Sequence, residues 1–162
     1  MTPDLELIHK PIHESFRAWA HGYPHVVAKW HFHPEYELHI ITTSTGKFFV
    51  GDHIGSYAPG NLVLTGPNLP HNWVSELAEG VSLPARDLVL QFSGEFVDRC
   101  ALLFPDMAPL KTLLGEAGRG LQFPDALGLR LAPLMCELTT AQGPRRVELF
   151  ARLFGELCGC RE

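Results

Sequence analysis

Residues 30–40 read WHFHPEYELHI, which puts three histidines and two glutamates on a stretch otherwise rich in aromatic and branched side chains. In a β-strand alternate side chains point to opposite faces. His31, His33, Glu35, Glu37 and His39 therefore fall on one face, and Phe32, Tyr36, Leu38 and Ile40 on the other. Either the first face is wet, or it points inward and holds something. A histidine pair at i, i+2 aims both imidazoles the same way. Glu37 joins them four residues later, although Pro34 can bend the chain between. Downstream, His71 stands in GPNLPHNW, just after the strand-like NLVLT. Three neutral imidazoles and a carboxylate suit a divalent transition metal. A lone histidine is more often a surface or hydrogen-bonded core residue, but the spacing H-x-H-x-x-x-E with a distant Pro-His is far more specific. The candidate metal site is His31, His33, Glu37 and His71. Zinc and nickel fit it best, with iron or manganese also suitable, since availability decides among such ions. His39 continues the face as a fifth contact or a donor behind the ligands. Glu35, after Pro34, is expected to turn outward. His9, His13, His21, His25 and His53 are scattered and read as surface or loop.

The elements that must position these side chains change character near residue 93. Before it, HVVAKWHFH, YELHIITT, GKFFVG, GSYA, NLVLTG and ARDLVLQF read as strands, separated by turn signals rich in Gly, Asn and Pro. Many short strands at close spacing predict a β-sandwich or barrel. After Ser93 the period lengthens. GEFVDRCALLF and DMAPLKTLLGEAG read as helices, RGLQFP as a brief extended break, and DALGLRLAPLMCELTTAQ as a helix capped by Asp125 and kinked or shortened by Pro133. GPRRVELFARLFGELC closes the chain with Pro144 in its first turn. Its Val147, Phe150, Phe154 and Leu157 form an apolar stripe. That stripe either packs on the rest of the chain or faces a second copy in a homodimer. The division expected is a β-barrel over 1–92 and a helical segment over 93–162.

Whole-chain properties exclude several classes. A length of 162 residues suits one compact domain. A net charge of −5, with no run of Lys and Arg, argues against this chain gripping nucleic acid alone. Arg145-Arg146 is the nearest basic pair, and Glu148 follows it. No apolar stretch is long enough to span a bilayer, and the N-terminus lacks a signal core, which reads as cytoplasmic. The four cysteines, Cys100, Cys136, Cys158 and Cys160, are irregularly spaced and read as reduced thiols. Cys158-Gly-Cys160 is only a weak metal pattern.

HFHPEYE followed by PGNLVLTGPNLPH resembles the two motifs of the cupin superfamily. That resemblance implies a jelly-roll β-barrel with a metal or small ligand inside, and the ligands again fall on His31, His33, Glu37 and His71. Gly46 arrives later than the first motif's closing glycine, and Asn61 stands where an aspartate is common. Both departures lie at turns. H-x-H-x-x-Y-E-L, with LVLQFSGEFV, LLGEAGRGLQF and a closing helix pair, resembles the N-terminal half of AraC-type transcription regulators. The resemblance implies a cupin domain that senses a small-molecule effector and helices that dimerise. DNA binding would belong to a C-terminal helix-turn-helix domain absent from this chain.

Two functions follow as expectations. One is the metal-binding sensor and dimerisation domain of a regulator, not an enzyme, with Phe48, Val50, Trp73 and Phe92 lining a ligand pocket. Trp30 is a further core or pocket-wall candidate. The other is a stand-alone cupin metalloenzyme, an oxygenase or isomerase, against which the long helical tail counts.

Overall fold

In a computed structural model, residues 2–160 are described. The strands are β1 (Asp4–Leu5), β2 (Arg17–Tyr23), β3 (His31–Phe32), β4 (Tyr36–Ile41), β5 (Gly46–Val50), β6 (His53–Tyr57), β7 (Leu62–Thr65), β8 (His71–Ser75), β9 (Leu83–Phe92) and β10 (Leu121–Phe123). The helices are α1 (Gly94–Leu103), α2 (Ala108–Glu116), α3 (Asp125–Leu138) and α4 (Pro144–Gly159). Two five-stranded sheets form, in the orders β1-β3-β8-β5-β6 and β10-β7-β4-β9-β2. The protein is thus mainly β with C-terminal helices. The sheets are separate hydrogen-bonded units rather than one closed ring.

Period-two patterning decides which side chains point between the sheets. On β5, Gly46, Phe48 and Val50 are buried and Lys47 is exposed. On β8, His71, Trp73 and Ser75 are buried while Val74 is exposed. β4 is buried on both faces because helices cover the outer side of its sheet. Leu38 and Ile40 join the cluster with the helices, leaving Glu37, His39 and Ile41 for the interior. On β9, Leu88, Leu90 and Phe92 likewise face the helices.

Several expectations need correcting. Phe92 does not line the interior. Its ring lies 5.4 Å from Phe150 and 5.2 Å from Phe154, so the pocket assignment was one residue out of register on β9. The same contacts dispose of most of the proposed dimer stripe. Phe150, Phe154 and Leu157 are buried within the chain, and only Val147, 51% exposed, remains for a partner. The segment FRAWAHGY, not anticipated as a strand, contains the whole of β2, which pairs with β9. In HVVAKWHFH only His31–Phe32 is a strand. Asp125 is the first residue of α3 rather than its cap, a place taken by Pro124, and the helix runs through Pro133. α1 has the side-chain cap instead, Ser93 accepting from the Phe96 amide at 3.1 Å.

The expected break at RGLQFP is real and structural. β10 pairs antiparallel with β7, so the helical half contributes a strand to the sheet. One hydrophobic cluster runs from Phe16 through β4, β7 and β9 into α2, α3 and α4. The strand-rich and helical halves of the described residues share that core.

Candidate metal centre and polar interior

β3, β4 and β8 bring His31, His33, Glu37 and His71 together. His31 on β3 pairs directly with His71 on β8, and the bend around Pro34 lets Glu37 approach from the opposite sheet. All four are buried, and their ligand atoms lie within 4.8 Å of one another. The rings of His31 and His71 are 4.4 Å apart, and those of His33 and His71 5.1 Å.

The backbone sets the direction of each imidazole. Nδ1 of His31 is 2.7 Å from the Lys29 carbonyl oxygen, Nδ1 of His33 is 3.2 Å from that of Glu35, and Nδ1 of His71 is 2.8 Å from that of Leu69. A carbonyl oxygen can only accept, so each Nδ1 carries the proton and each neutral ring keeps a bare lone pair at Nε2. Those lone pairs meet carboxylates. His33 Nε2 is 3.0 Å from Glu37 Oε2, and His31 Nε2 is 3.3 Å from Glu6 Oε2. His71 Nε2 is 3.5 Å from Glu37 Oε1 and makes no hydrogen bond. Lone pairs facing lone pairs in a buried space call for a cation between them, either protons or a metal ion. The residues present fit a divalent ion on this ground, and outward Nδ1–H bonds are how metal-binding histidines are commonly oriented.

The charges within the cluster follow. Burial works to raise the Glu37 carboxyl, but the imidazoles of His71 and His33 outweigh it and hold it well below the usual range. Burial pushes His71 down despite the pull of Glu37. Against burial, His31 is raised by Glu6 and His33 by Glu37. Glu37 cannot support three imidazolium rings, and the most buried one gives up its proton.

Residues invisible to the motif reading complete the interior. Gln91 donates to Glu37 Oε2 at 2.9 Å, and Trp19 Nε1 donates to Gln91 Oε1 at 3.3 Å. Glu6 reaches His31 from the N-terminal segment. For Trp19 and Gln91 the signal was period two on β2 and β9, where Trp19 and His21, and Asp87, Val89 and Gln91, share faces; Glu6 had no such signal.

His39 does not join the quartet. Its Nε2 is 2.7 Å from Asp87 Oδ1, and its ring stacks on Trp73 at 3.9 Å. His21, expected at the surface, instead turns its side chain inward to Asp87 at 3.4 Å. Asp87 also receives two bonds from buried Arg86, at 2.6 and 2.9 Å. His21, His39 and Asp87 form a second buried ligand-type cluster, but the Arg86 guanidinium already supplies its cation. The cavity between the two clusters is about 20 Å³, room for about one water or ion. Phe48, Val50 and Trp73 pack with Ile41, Tyr57 and Val63 in the interior. Glu35 is partly exposed beside His33. Trp30 is half-buried, and His9, His13 and His53 are exposed. Neither ligand cluster among the described residues includes a cysteine, and no disulfide joins the four cysteines.

This arrangement of sheets, histidine-lined interior and packed helices agrees with a family match over residues 15–159, the AraC-like ligand binding domain. The chain belongs to that family. No curated protein sequence matches this AraC-like domain. Among solved structures it resembles apo ToxT from Vibrio cholerae strain SCE256, at 15% identity and a TM-score of 0.50, over 87% of this chain and 49% of that one. A second Vibrio cholerae ToxT structure matches at 12% identity and a TM-score of 0.53, over 88% of this chain and 56% of that one. At such identities the likeness speaks for the fold. The AraC-like domain spans about half the length of these structures. No helix among its described residues is long and apolar enough to cross a membrane.

Proposed function

We propose that this chain is the sensor module of an AraC-type transcription regulator, holding one divalent transition metal and responding to a small-molecule effector in the cytoplasm. The observation that carries the reading is the family match across almost the whole chain. His31, His33, Glu37 and His71 would hold the metal, with Gln91 donating to the Glu37 carboxylate and the Lys29, Glu35 and Leu69 carbonyl oxygens orienting the three imidazoles. The ion would supply a fixed positive charge that ties β3, β4 and β8 together. An effector that favours one arrangement of sheets and helices would shift the population toward it. A separate helix-turn-helix domain would bind DNA, and two copies would assemble as a homodimer. The test is thermal unfolding of protein purified without chelator or nickel affinity, with metal content measured and a metabolite library added. One divalent ion per chain and a ligand-dependent rise in melting temperature are expected. A library that leaves the melting temperature unchanged, with and without metal, sinks the sensor reading.

One observation favours the second reading, a cupin metalloenzyme. His39 is buried, fixed by Asp87, and has a bare Nδ1 with no hydrogen-bond partner, which is how a general base is held. Turnover of a stabilising compound by the metal-loaded protein would support it.

A further inference from the structure

The interior is too full for an organic effector. His39 and Trp73 stack in its middle at 3.9 Å, and the cavity left is ion-sized. A much larger space opens where the sheets meet the helical segment. This cleft measures about 480 Å³, the size that takes a drug-like small molecule. Its floor is apolar and comes from two strands, with Phe48 and Val50 on β5 and Val63 on β7, each no more than 3% exposed. Arg119 and Gln122 line it from the helical half, and Asp52 and His53 from around the turn between β5 and β6. Arg119 makes no ion pair or side-chain hydrogen bond among the described residues. The helical segment cannot draw back from this floor without losing a close fit. Gly120 has φ +80°, and a Cβ there would stand 2.7 Å from Val50 Cγ1. Arg119 closes the single 3-10 turn, Ala117–Arg119, that links α2 to β10, and Ala117 in it is fully buried.

We propose that this cleft is the effector site, and that its ligand is a compact organic monoanion with an apolar ring or branched body whose carboxylate is received by Arg119. The inference rests on the sensor reading and names the ligand class and the route of its signal. The apolar body covers Phe48, Val50 and Val63. The carboxylate takes the guanidinium fork, for which its geometry is matched. Asp52 opposes a second negative charge, which selects against dicarboxylates and phosphate esters. A ligand so placed joins β5 and β7 to the turn that enters β10, and therefore biases the position of α2 against the sheets.

Phenylacetate and its neutral isostere phenylacetamide test the assignment, by calorimetry and amide NMR shifts on the full chain. Phenylacetate should bind about tenfold tighter or more, as a charge-assisted pair requires. Its shifts should centre on Phe48, Val63 and Gln122. Arg119→Gln should erase the preference, and Asp52→Asn should admit phthalate. Both side chains are exposed, so circular dichroism should show unchanged folding. Equal binding of the two probes, no binding of either, a preference that survives Arg119→Gln, or shifts centred on His39 and Trp73 would overturn the proposal. If phenylacetate fails while another class of compound raises the melting temperature, the ligand class falls and the sensor reading stands. If no compound does so, both fall.

Discussion

The residues that matter most divide into the proposed metal ligands, their supports and a separate ion-pair centre, and substitutions should tell them apart. His71→Ala removes the ligand whose Nε2 is unpartnered, and should abolish stoichiometric metal binding in an equilibrium titration. Gln91→Leu leaves every ligand in place but removes the amide that donates to Glu37. Loss of such a support should weaken metal binding about 10–100-fold. Asp87 behaves differently. Burial works to raise its carboxyl, but His39, Arg86 and His21 outweigh it and lower it below its ordinary 3.8. A carboxyl lowered by folding contributes stability that is present above its unfolded pKa and is lost as pH falls through the folded one. Asp87 should therefore stabilise the protein above about pH 3.8 and cease to do so in stronger acid. Asp87→Asn strands the buried Arg86 charge and should cost about 3–5 kcal/mol at neutral pH. Denaturant unfolding of both proteins at pH 7 and pH 3 checks this, and the gap should narrow at pH 3.

Among the elements, α4 is the one whose role was open between packing and assembly. Its Phe150 and Phe154 rings meet Phe92 and each other, the last pair at 4.6 Å. Phe154→Ala should lower stability by about 3–5 kcal/mol, as truncation of a buried aromatic ring does. Val147 lies on the same helix but is 51% exposed. Val147→Glu should leave the melting temperature nearly unchanged and weaken any homodimer in sedimentation at tens of micromolar. A dimer indifferent to Val147→Glu would place its interface elsewhere. α3 is held more tightly than its proline suggests. Gly128 lies so close to the Gly60 carbonyl oxygen that a Cβ would collide with backbone. Gly128→Ala should force α3 off the sheet and lower the melting temperature.

At the scale of the whole molecule, charge argues against tight DNA contact by this chain itself. The net charge is −5, and the one basic pair is already engaged. Arg145 bonds Glu137 and Glu148, while Arg146 bonds Glu14 and the Phe16 carbonyl oxygen. Little is left to neutralise phosphates. A gel shift of residues 1–162 at near-physiological salt should show no sequence-dependent binding below micromolar concentration. Binding there would overturn the proposed division between sensing and DNA contact.

Period and residue type were enough to identify the strand-rich first half, the helical second half and the four candidate ligands, although His31 and Glu37 meet across a bend at Pro34, from strands of different sheets, and not along one continuous strand. They could not bring in Gln91, Glu6 or His21. These reach the interior through pairings of β9, β1 and β2 with strands distant in sequence, and no local pattern encodes the partner. Nor could they settle which way β9 faces, since both of its faces are buried and Phe92 is apolar like its neighbours. The fate of the α4 stripe was undecided for a similar reason. An apolar face looks the same whether its own sheet or a second copy covers it. The tertiary structure decided for the sheet by placing Phe92 under Phe150 and Phe154.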